Sequence, residues 1–383
     1  MPLRLARLSL REIRLPLVEP FRSAGGTVDA RRVLLAQLHD ADGHTAWSEC
    51  VAQERPTYSA DTIDTCWLAL TEWLAPALLG VDVGGARDVH ARLAAHVRGH
   101  AMARATLEMG MWTLDATRRA QPLAVALADA AGAAPRTHVA TGLALGMHDT
   151  PDALAAHARD AMAQGYRRLR MKVSPGHDVE WVRAVRAALD RDAVLAVDAN
   201  GSYSLDDPAH LDALRALDTL GLAMIEQPLA HDDLVRHAEL QRRLDTPLCL
   251  DESITGLAAT QAMLALGAAR IVNLKPGRVG GFTEALAIHD ECSAEGIALW
   301  CGGMLETGIG RAHNVALASL PGFTEPGDLS PSARYWSRDI VRPAWTMDAA
   351  GLVRVPLETP GLGVEVDVDY IDELTTRVVS FEM

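Results

Sequence analysis

The sequence predicts an α/β fold in which consecutive βαβ units close into a TIM-like barrel, behind a first domain of sheet and helices. Three observations predict it. From residue 136 onward short apolar runs alternate with amphipathic helical stretches, each run ends on a polar residue, and those polar residues recur at nearly equal intervals. Lys172 is followed by Asp198 after 26 residues, Glu226 after 28 more, Asp251 after 25, Lys275 after 24 and Cys301 after 26. A strand, its loop and the returning helix together take roughly 25 to 30 residues, so this is the interval of successive βαβ units. Repeated seven or more times, such units form a closed barrel. A doubly wound open sheet is the competing architecture, but no Gly-rich phosphate loop follows the first strand.

Within residues 1–135, the first 50 residues alternate apolar runs such as RRVLLAQLHD with turn signals such as Asp42-Gly43, as an antiparallel sheet would. From about Thr57 to Leu127 the texture changes to Ala/Leu-rich helical spacing, as in WLALTEWLAPALL and ARATLEMGMWTLDATRRA. The segment DAAGAAPR then reads as a linker near residue 135. Residues 136–338 carry the barrel runs THVATGLAL, YRRLRMKVS, AVLAVDAN, LAMIEQP, PLCLDES, ARIVNLKP and IALWCGG. The last stretch, 339–383, returns to short strand-like pieces and Gly/Pro turns (PLETPGLGVEVD), and is expected to pack back on the first domain.

Composition narrows the function. With 383 residues, 49% hydrophobic and 22% charged, the chain has the make-up of a globular protein with a large core. A formal net charge of -14 repels nucleic-acid phosphates and anionic lipid head groups, so neither nucleic acid nor membrane is an expected partner. Arginines every few residues in MPLRLARLSLREIRLPLVEPF interrupt any signal-like or membrane-spanning run, so a cytoplasmic location is expected. The five cysteines, Cys50, Cys66, Cys249, Cys292 and Cys301, contain no CxxC pair and read as free thiols.

In a barrel the carboxyl ends of the strands face one rim, so Lys172, Asp198, Glu226, Asp251 and Lys275 are expected to converge there. Three carboxylates on successive strands make a hard-oxygen pocket suited to Mg²⁺ or Mn²⁺. Two lysines flank them and can face each other across a small-molecule carboxylate. Taken singly, Asp198 or Asp251 reads equally well as a helix N-cap. Glu226 does not, because it ends the apolar run LAMI just before Gln227-Pro228. Lys275, between IVNL and Pro276, sits at the buried end of a core strand rather than on a surface where lysines snorkel. A Schiff-base lyase using Lys275 and a non-catalytic metal-binding barrel are the rival readings.

The ordered set Lys172, Asp198-Ala199-Asn200, Glu226-Gln227-Pro228, Asp251-Glu252-Ser253 and Lys275-Pro276-Gly277 resembles the enolase superfamily, muconate-lactonizing enzyme subgroup. Within it, SPGHDVEWVRAVR, IVNLKPGRVGG and LWCGGMLETGIGRAHNVALASLPGF are similar to the o-succinylbenzoate synthase / N-succinylamino acid racemase family. The resemblance implies a (β/α)7β barrel under an α+β capping domain made of the N-terminal stretch and the C-terminal tail. It implies Asp198, Glu226 and Asp251 as Mg²⁺ ligands and Lys172 and Lys275 as the acid/base pair. The activity it implies is dehydration of the cyclohexadiene carboxylate precursor of o-succinylbenzoate through an enediolate, in menaquinone biosynthesis. N-Acylamino acid racemisation is the alternative, and one constellation serves both. Arg170, Asn200, Glu252, Arg278, Gly302, Gly303, Met304 and Glu306 are expected around the substrate or behind its contacts. Ser23, Gly25 and Tyr58 are expected on capping loops, at Phe21 to Thr27 and Val51 to Tyr58, that act as lids. A homo-oligomer is expected. The family often has Lys-x-Lys where this chain has Arg170-Met171-Lys172, and an aromatic where Gly25 stands. A base must be neutral, so burial, the metal, Arg170 and Arg278 are expected to lower the pKa of Lys275.

Overall fold

A run such as Val33-Leu34-Leu35-Ala36 is apolar at every position because its strand lies inside the protein with both faces covered. Val33 and Leu35 join the core shared with the parallel sheet, while Leu34, Ala36 and Leu38 join a second core beneath the N-terminal helices. Side chains alternate faces along a strand, which produces this division. The computed structural model of the chain describes residues 2–23 and 26–383. Strands β1 (Arg7–Ser23), β2 (Gly26–His39) and β3 (Thr45–Cys50) pair antiparallel in sequence order. Helices α1 (Ile63–Ala69), α2 (Ala86–His96), α3 (Ala101–Arg118) and α4 (Leu123–Ala130) follow. Thr62 and Thr65 exchange capping hydrogen bonds at the start of α1, and α3 is buried over most of its length.

Seven parallel strands come next, paired in chain order in one curled sheet: β4 (Leu143–Leu145), β5 (Leu169–Lys172), β6 (Leu195–Asp198), β7 (Ile225–Glu226), β8 (Leu248–Leu250), β9 (Ile271–Leu274) and β10 (Ala298–Cys301). Helices α5 (Pro151–Ala163), α6 (Val179–Ala188), α7 (Pro208–Asp218), α8 (Leu234–Gln241), α9 (Leu257–Leu266) and α10 (Phe282–Ala294) return the chain between strands, and α11 (Gly308–Ala318) follows β10. The segment 325–328 bonds to both edges of the sheet. Glu325 and Asp328 donate their N–H groups to Leu299 and Cys301, Gly327 donates to Ala140, and Gly142 donates back to Gly327, at 2.7–3.1 Å.

Period-two alternation also organises the sheet. Ala196, Met224, Cys249, Ile271 and Trp300 pack together as an inner layer. Their neighbours Val197, Ile225, Leu250, Val272 and Leu299 turn outward into the main core with the helices. Two residues along from the inner layer, on the same inward face, stand Asp198, Glu226, Asp251, Asn273 and Gly302.

The tail divides between the two regions. Leu352–Arg354 pairs with His138–Ala140 beside the parallel sheet, and β11 (Thr375–Glu382) pairs antiparallel with β1, from Glu382 opposite Arg7 to Thr375 opposite Ile13. The five cysteines are buried and unpaired. No helix among the described residues is long and apolar enough to cross a membrane.

Candidate active site

Lys172, Asp198 and Glu226 are direct cross-strand partners on β5, β6 and β7, so their side chains leave the sheet at one level and on one face. The Lys172 amine donates to Asp198 Oδ2 and to Asn200 Oδ1, both at 2.7 Å, and Asn200 donates in turn to Glu252 at 2.9 Å. The buried Lys275 amine donates to Asp251 Oδ2 at 2.8 Å and to the Tyr58 hydroxyl at 3.1 Å. Tyr58, reaching in from the first domain, donates to Asp251 Oδ1 at 2.9 Å. Arg278 bonds the same Oδ1 and donates to the Tyr58 oxygen at 3.0 Å. The two amines thus stand at opposite ends of one row of carboxylates.

The N-cap alternative for the aspartates is not what the chain adopts. Five of the helices α5 to α11 are capped by Thr150, Asp178, Asp207, Asp233 and Thr307, whose side chains accept from the first-turn amides, and α9 and α10 start at Gly256 and Gly281. Asp198 and Asp251 face the amines and guanidinium groups instead.

Arg170 lies between three carboxylates. It is ion-paired to Asp198 and Asp328, and its Nη1 is 2.9 Å from Glu226 Oε2. Its guanidinium and that of Arg168 stand 5.1 and 4.1 Å from the ring centre of the buried Trp300. Asn273 donates to the other oxygen of Glu226 at 2.8 Å. Asp328 and Asn273 are not among the candidates that the sequence pattern singles out. Asn273 does carry a sequence signal, since it lies two residues before Lys275, whose backbone is still extended just beyond β9, and so shares its face. Asp328 lies in an irregular segment with no periodic signal.

Gly302 sits against Lys275 and Asn273. A Cβ added there would lie 2.5 Å from Lys275 Cε and 2.2 Å from Asn273 Oδ1. Gly303 lies against Asp328 and Glu306. Glu306 accepts from the Met304 amide at 2.9 Å and from Asn314 at 2.8 Å, and the Met304 side chain joins the core of the first domain beside Val51 and Ala52. A small cavity lined by Glu49, Val51, Lys275, Met304, Glu306 and His313 lies behind Lys275. Ser23 belongs to β1, where it pairs with Gly26 in a hairpin; Gly25 lies outside the described residues.

Electrostatics follow burial. Glu226 is pushed up to about 8, chiefly by burial and further by Asp198 and Asp251, against the pull of Arg170. Glu252 rises to about 7 for the same leading reason. Asp251 stays below the usual carboxylate range, because Lys275 and Arg278 outweigh its burial. Lys275 departs from the sequence expectation. Burial, the largest single influence, and Arg278 do pull it down, but Asp251, Tyr58 and Glu226 together outweigh them and hold the amine above its ordinary value.

The donor set fits a hard divalent cation. Glu252 Oε2 is a buried carboxylate oxygen that accepts no hydrogen bond, and the buried Glu226 Oε2 meets only its ion pair with Arg170; buried hard oxygens of this kind suit Mg²⁺. The strand-end carboxylates are drawn toward cations, Asp198 and Glu226 toward Arg170 and Asp251 toward Lys275 and Arg278. Among the described residues the ligand atoms that gather within 4.8 Å of one another are instead those of Asp40, Asp42 and His44, in the turn between β2 and β3. There Asp40 accepts from the Asp42 and His44 amides at 3.0 and 2.8 Å, as a turn residue does.

Comparison with known proteins gives the lineage. Residues 7–127 match the family described as mandelate racemase / muconate lactonizing enzyme, N-terminal domain, and residues 153–370 match the enolase C-terminal domain-like family. The chain is 43% identical over 366 residues to an o-succinylbenzoate synthase of Geobacillus kaustophilus, covering 96% of this chain and 94% of that one. It is 44% identical over 377 residues to an N-succinylamino acid racemase of an Amycolatopsis species, covering 98% and 99%. The crystal structure of an enolase superfamily member from Listeria innocua superposes with a TM-score of 0.92 at 32% identity, covering 99% of each chain. On this match across both regions of the fold, the chain belongs to the enolase superfamily, in the mandelate racemase / muconate lactonizing enzyme family.

Proposed function

We propose that the protein is a divalent-metal-dependent o-succinylbenzoate synthase that dehydrates a cyclohexadiene carboxylate in menaquinone biosynthesis. The observation that carries the reading is the placement of Lys172 and Lys275 at the two ends of the row formed by Asp198, Glu226 and Asp251. A proton beside a carboxylate is weakly acidic because its loss leaves a second negative charge. Mg²⁺, or Mn²⁺ in its place, held by Asp198, Glu226 and Asp251, would stabilise that charge.

The chain's own groups supply the proton chemistry. In its neutral form the Lys172 amine takes the α-proton, and as an ammonium it then returns a proton to the departing hydroxyl, which leaves as water. Lys275, held as an ammonium by Asp251 and Tyr58, steadies the developing charge from the other side. Arg170, Asn200, Glu252, Arg278 and Asn273 hold the carboxylates and amines in place, while Gly302 keeps the wall beside Lys275 thin. Tyr58 and the β1–β2 hairpin serve as the lids.

The same pair of lysines supports N-succinylamino acid racemisation as a second activity, each amine serving one face of the α-carbon. An imine at Lys275 is disfavoured, since its amine is engaged by Asp251 at 2.8 Å and by Tyr58 at 3.1 Å. On this proposal the chain is a (β/α)7β barrel closed by residues 325–328, with residues 1–135 and the C-terminal strand as the capping domain. The open edge of β11 supports assembly into a homo-oligomer, and five buried free thiols suit a cytoplasmic enzyme.

Side-by-side assays of the purified protein on the cyclohexadiene carboxylate and on N-succinylamino acids test the proposal. Turnover should be abolished by a chelator, restored by Mg²⁺ or Mn²⁺, and lost in Lys172→Ala. Chelator-resistant turnover with trapping of Lys275 by borohydride would overturn it.

A further inference from the structure

We infer that Glu49 and Glu108, two buried glutamates of the first domain, are positioning residues for the Lys275 side of the site and not for the Lys172 side. The inference rests on the reading that the two lysines serve opposite faces of one α-carbon.

Glu49 lies near the end of β3. Its carboxylate accepts the Thr307 amide at 3.1 Å, the Thr307 hydroxyl at 2.6 Å and the Gly310 amide at 2.9 Å, and so closes the N-terminus of α11 from outside the parallel sheet. Thr307 ends the loop that begins at Gly302, the residue seated against Lys275 Cε and Asn273. Glu108, on α3, does the same one unit earlier. It accepts the Phe282 amide at 2.7 Å, the Thr283 amide at 2.9 Å and the Thr283 hydroxyl at 2.5 Å, at the N-terminus of α10. The helical turn leading into α10 starts directly after Lys275 and carries Arg278.

A helix start has free N–H groups and a partial positive charge, so a buried carboxylate satisfies both at once. Here that carboxylate comes from the other region of the chain, and each clamp fixes a loop that begins at the Lys275 side. The hydrogen-bond partners of Lys172 are Asp198 and Asn200, which belong to the parallel-strand ends and are not gripped in this way. The docking of the first domain therefore bears on one face of the site.

The test compares Glu49→Ala, Glu49→Gln, Glu108→Ala and Glu108→Gln with the parent in D₂O, on each enantiomer of N-succinylalanine. Lys275→Ala identifies the enantiomer whose α-proton Lys275 takes. For that enantiomer the alanine variants should lose about tenfold or more in exchange rate, the scale of one hydrogen bond to a charged group. The other enantiomer should change less than about twofold. Glutamine, which keeps one acceptor oxygen, should recover part of the loss. Amide hydrogen exchange read by mass spectrometry should accelerate in residues 302–310 for the Glu49 variants and in 276–284 for the Glu108 variants. Equal losses with both enantiomers, or unchanged amide exchange in those segments, would overturn the inference. If the parent exchanges neither enantiomer, the racemase reading fails and amide exchange alone decides the clamp.

Discussion

Lys275 and Arg278 divide one carboxylate between them: the Lys275 amine takes Oδ2 of Asp251 at 2.8 Å, and the Arg278 guanidinium takes Oδ1. Asp251 raises the Lys275 pKa and Arg278 lowers it, so the arginine tempers the hold of the carboxylate on the amine. Arg278→Gln removes the nearby cation and leaves Asp251 to Lys275. The lysine pKa then rises, and any step that needs neutral Lys275 moves its rising limb to higher pH. The pH–rate profile for the enantiomer deprotonated by Lys275 measures this, and an unmoved profile would contradict the assignment.

Gly302→Ala probes how closely the wall fits. The added methyl would lie 2.5 Å from Lys275 Cε and 2.2 Å from Asn273 Oδ1, so one of them must move. A displacement near 1 Å costs on the order of 100-fold in rate. Turnover should fall by about that much while the far-UV circular dichroism spectrum and the thermal midpoint stay close to those of the parent. A variant with full activity would show that Lys275 is not held by this contact.

Arg170 is the shared cation of Asp198, Glu226 and Asp328, all buried. Arg170→Met leaves these charges without their common partner and should destabilise the fold by about 3–5 kcal/mol, as breaking a buried ion pair does. Arg170→Lys should recover only part of this, because an ammonium lacks the fork that reaches two carboxylates together. Urea denaturation of the three proteins reads the difference.

Glu108 links pH to stability. Burial raises its pKa from 4.5 to about 7 in the folded protein. An unfolded glutamate ionises near 4.5, so between that pH and about 7 the folded state holds the extra proton. The contribution is fully present below about 4.5 and is lost as pH rises through about 7, roughly 3 kcal/mol in all. Glu108→Gln has no proton to lose, so its stability deficit relative to the parent should shrink by roughly that amount from pH 4.5 to 7.5. Denaturation series at both ends of the range test this, and a constant deficit would exclude the linkage.

Much of the site is legible in the amino-acid sequence, and for one reason. A strand places alternate residues on one face, and a βαβ unit returns the chain after a nearly constant length. Apolar runs ending in Lys172, Asp198, Glu226, Asp251 and Lys275 at intervals of 24 to 28 residues therefore imply a common rim. The seven parallel strands in chain order and the free cysteines follow from equally local patterns.

Other features have no local signature because they depend on pairs distant in sequence. Asp328 becomes the partner of Arg170 only when residues 325–328 lie between the two edge strands. Glu49 and Glu108 look like ordinary polar residues until the first domain docks and sets them against helix starts some 170 to 260 residues away. The sign of the Lys275 shift is likewise decided in three dimensions. Sequence alone supplies the residue types that could raise or lower it, but charge interaction falls with distance, and only the folded geometry sets Asp251, with Tyr58 and Glu226, close enough to offset burial.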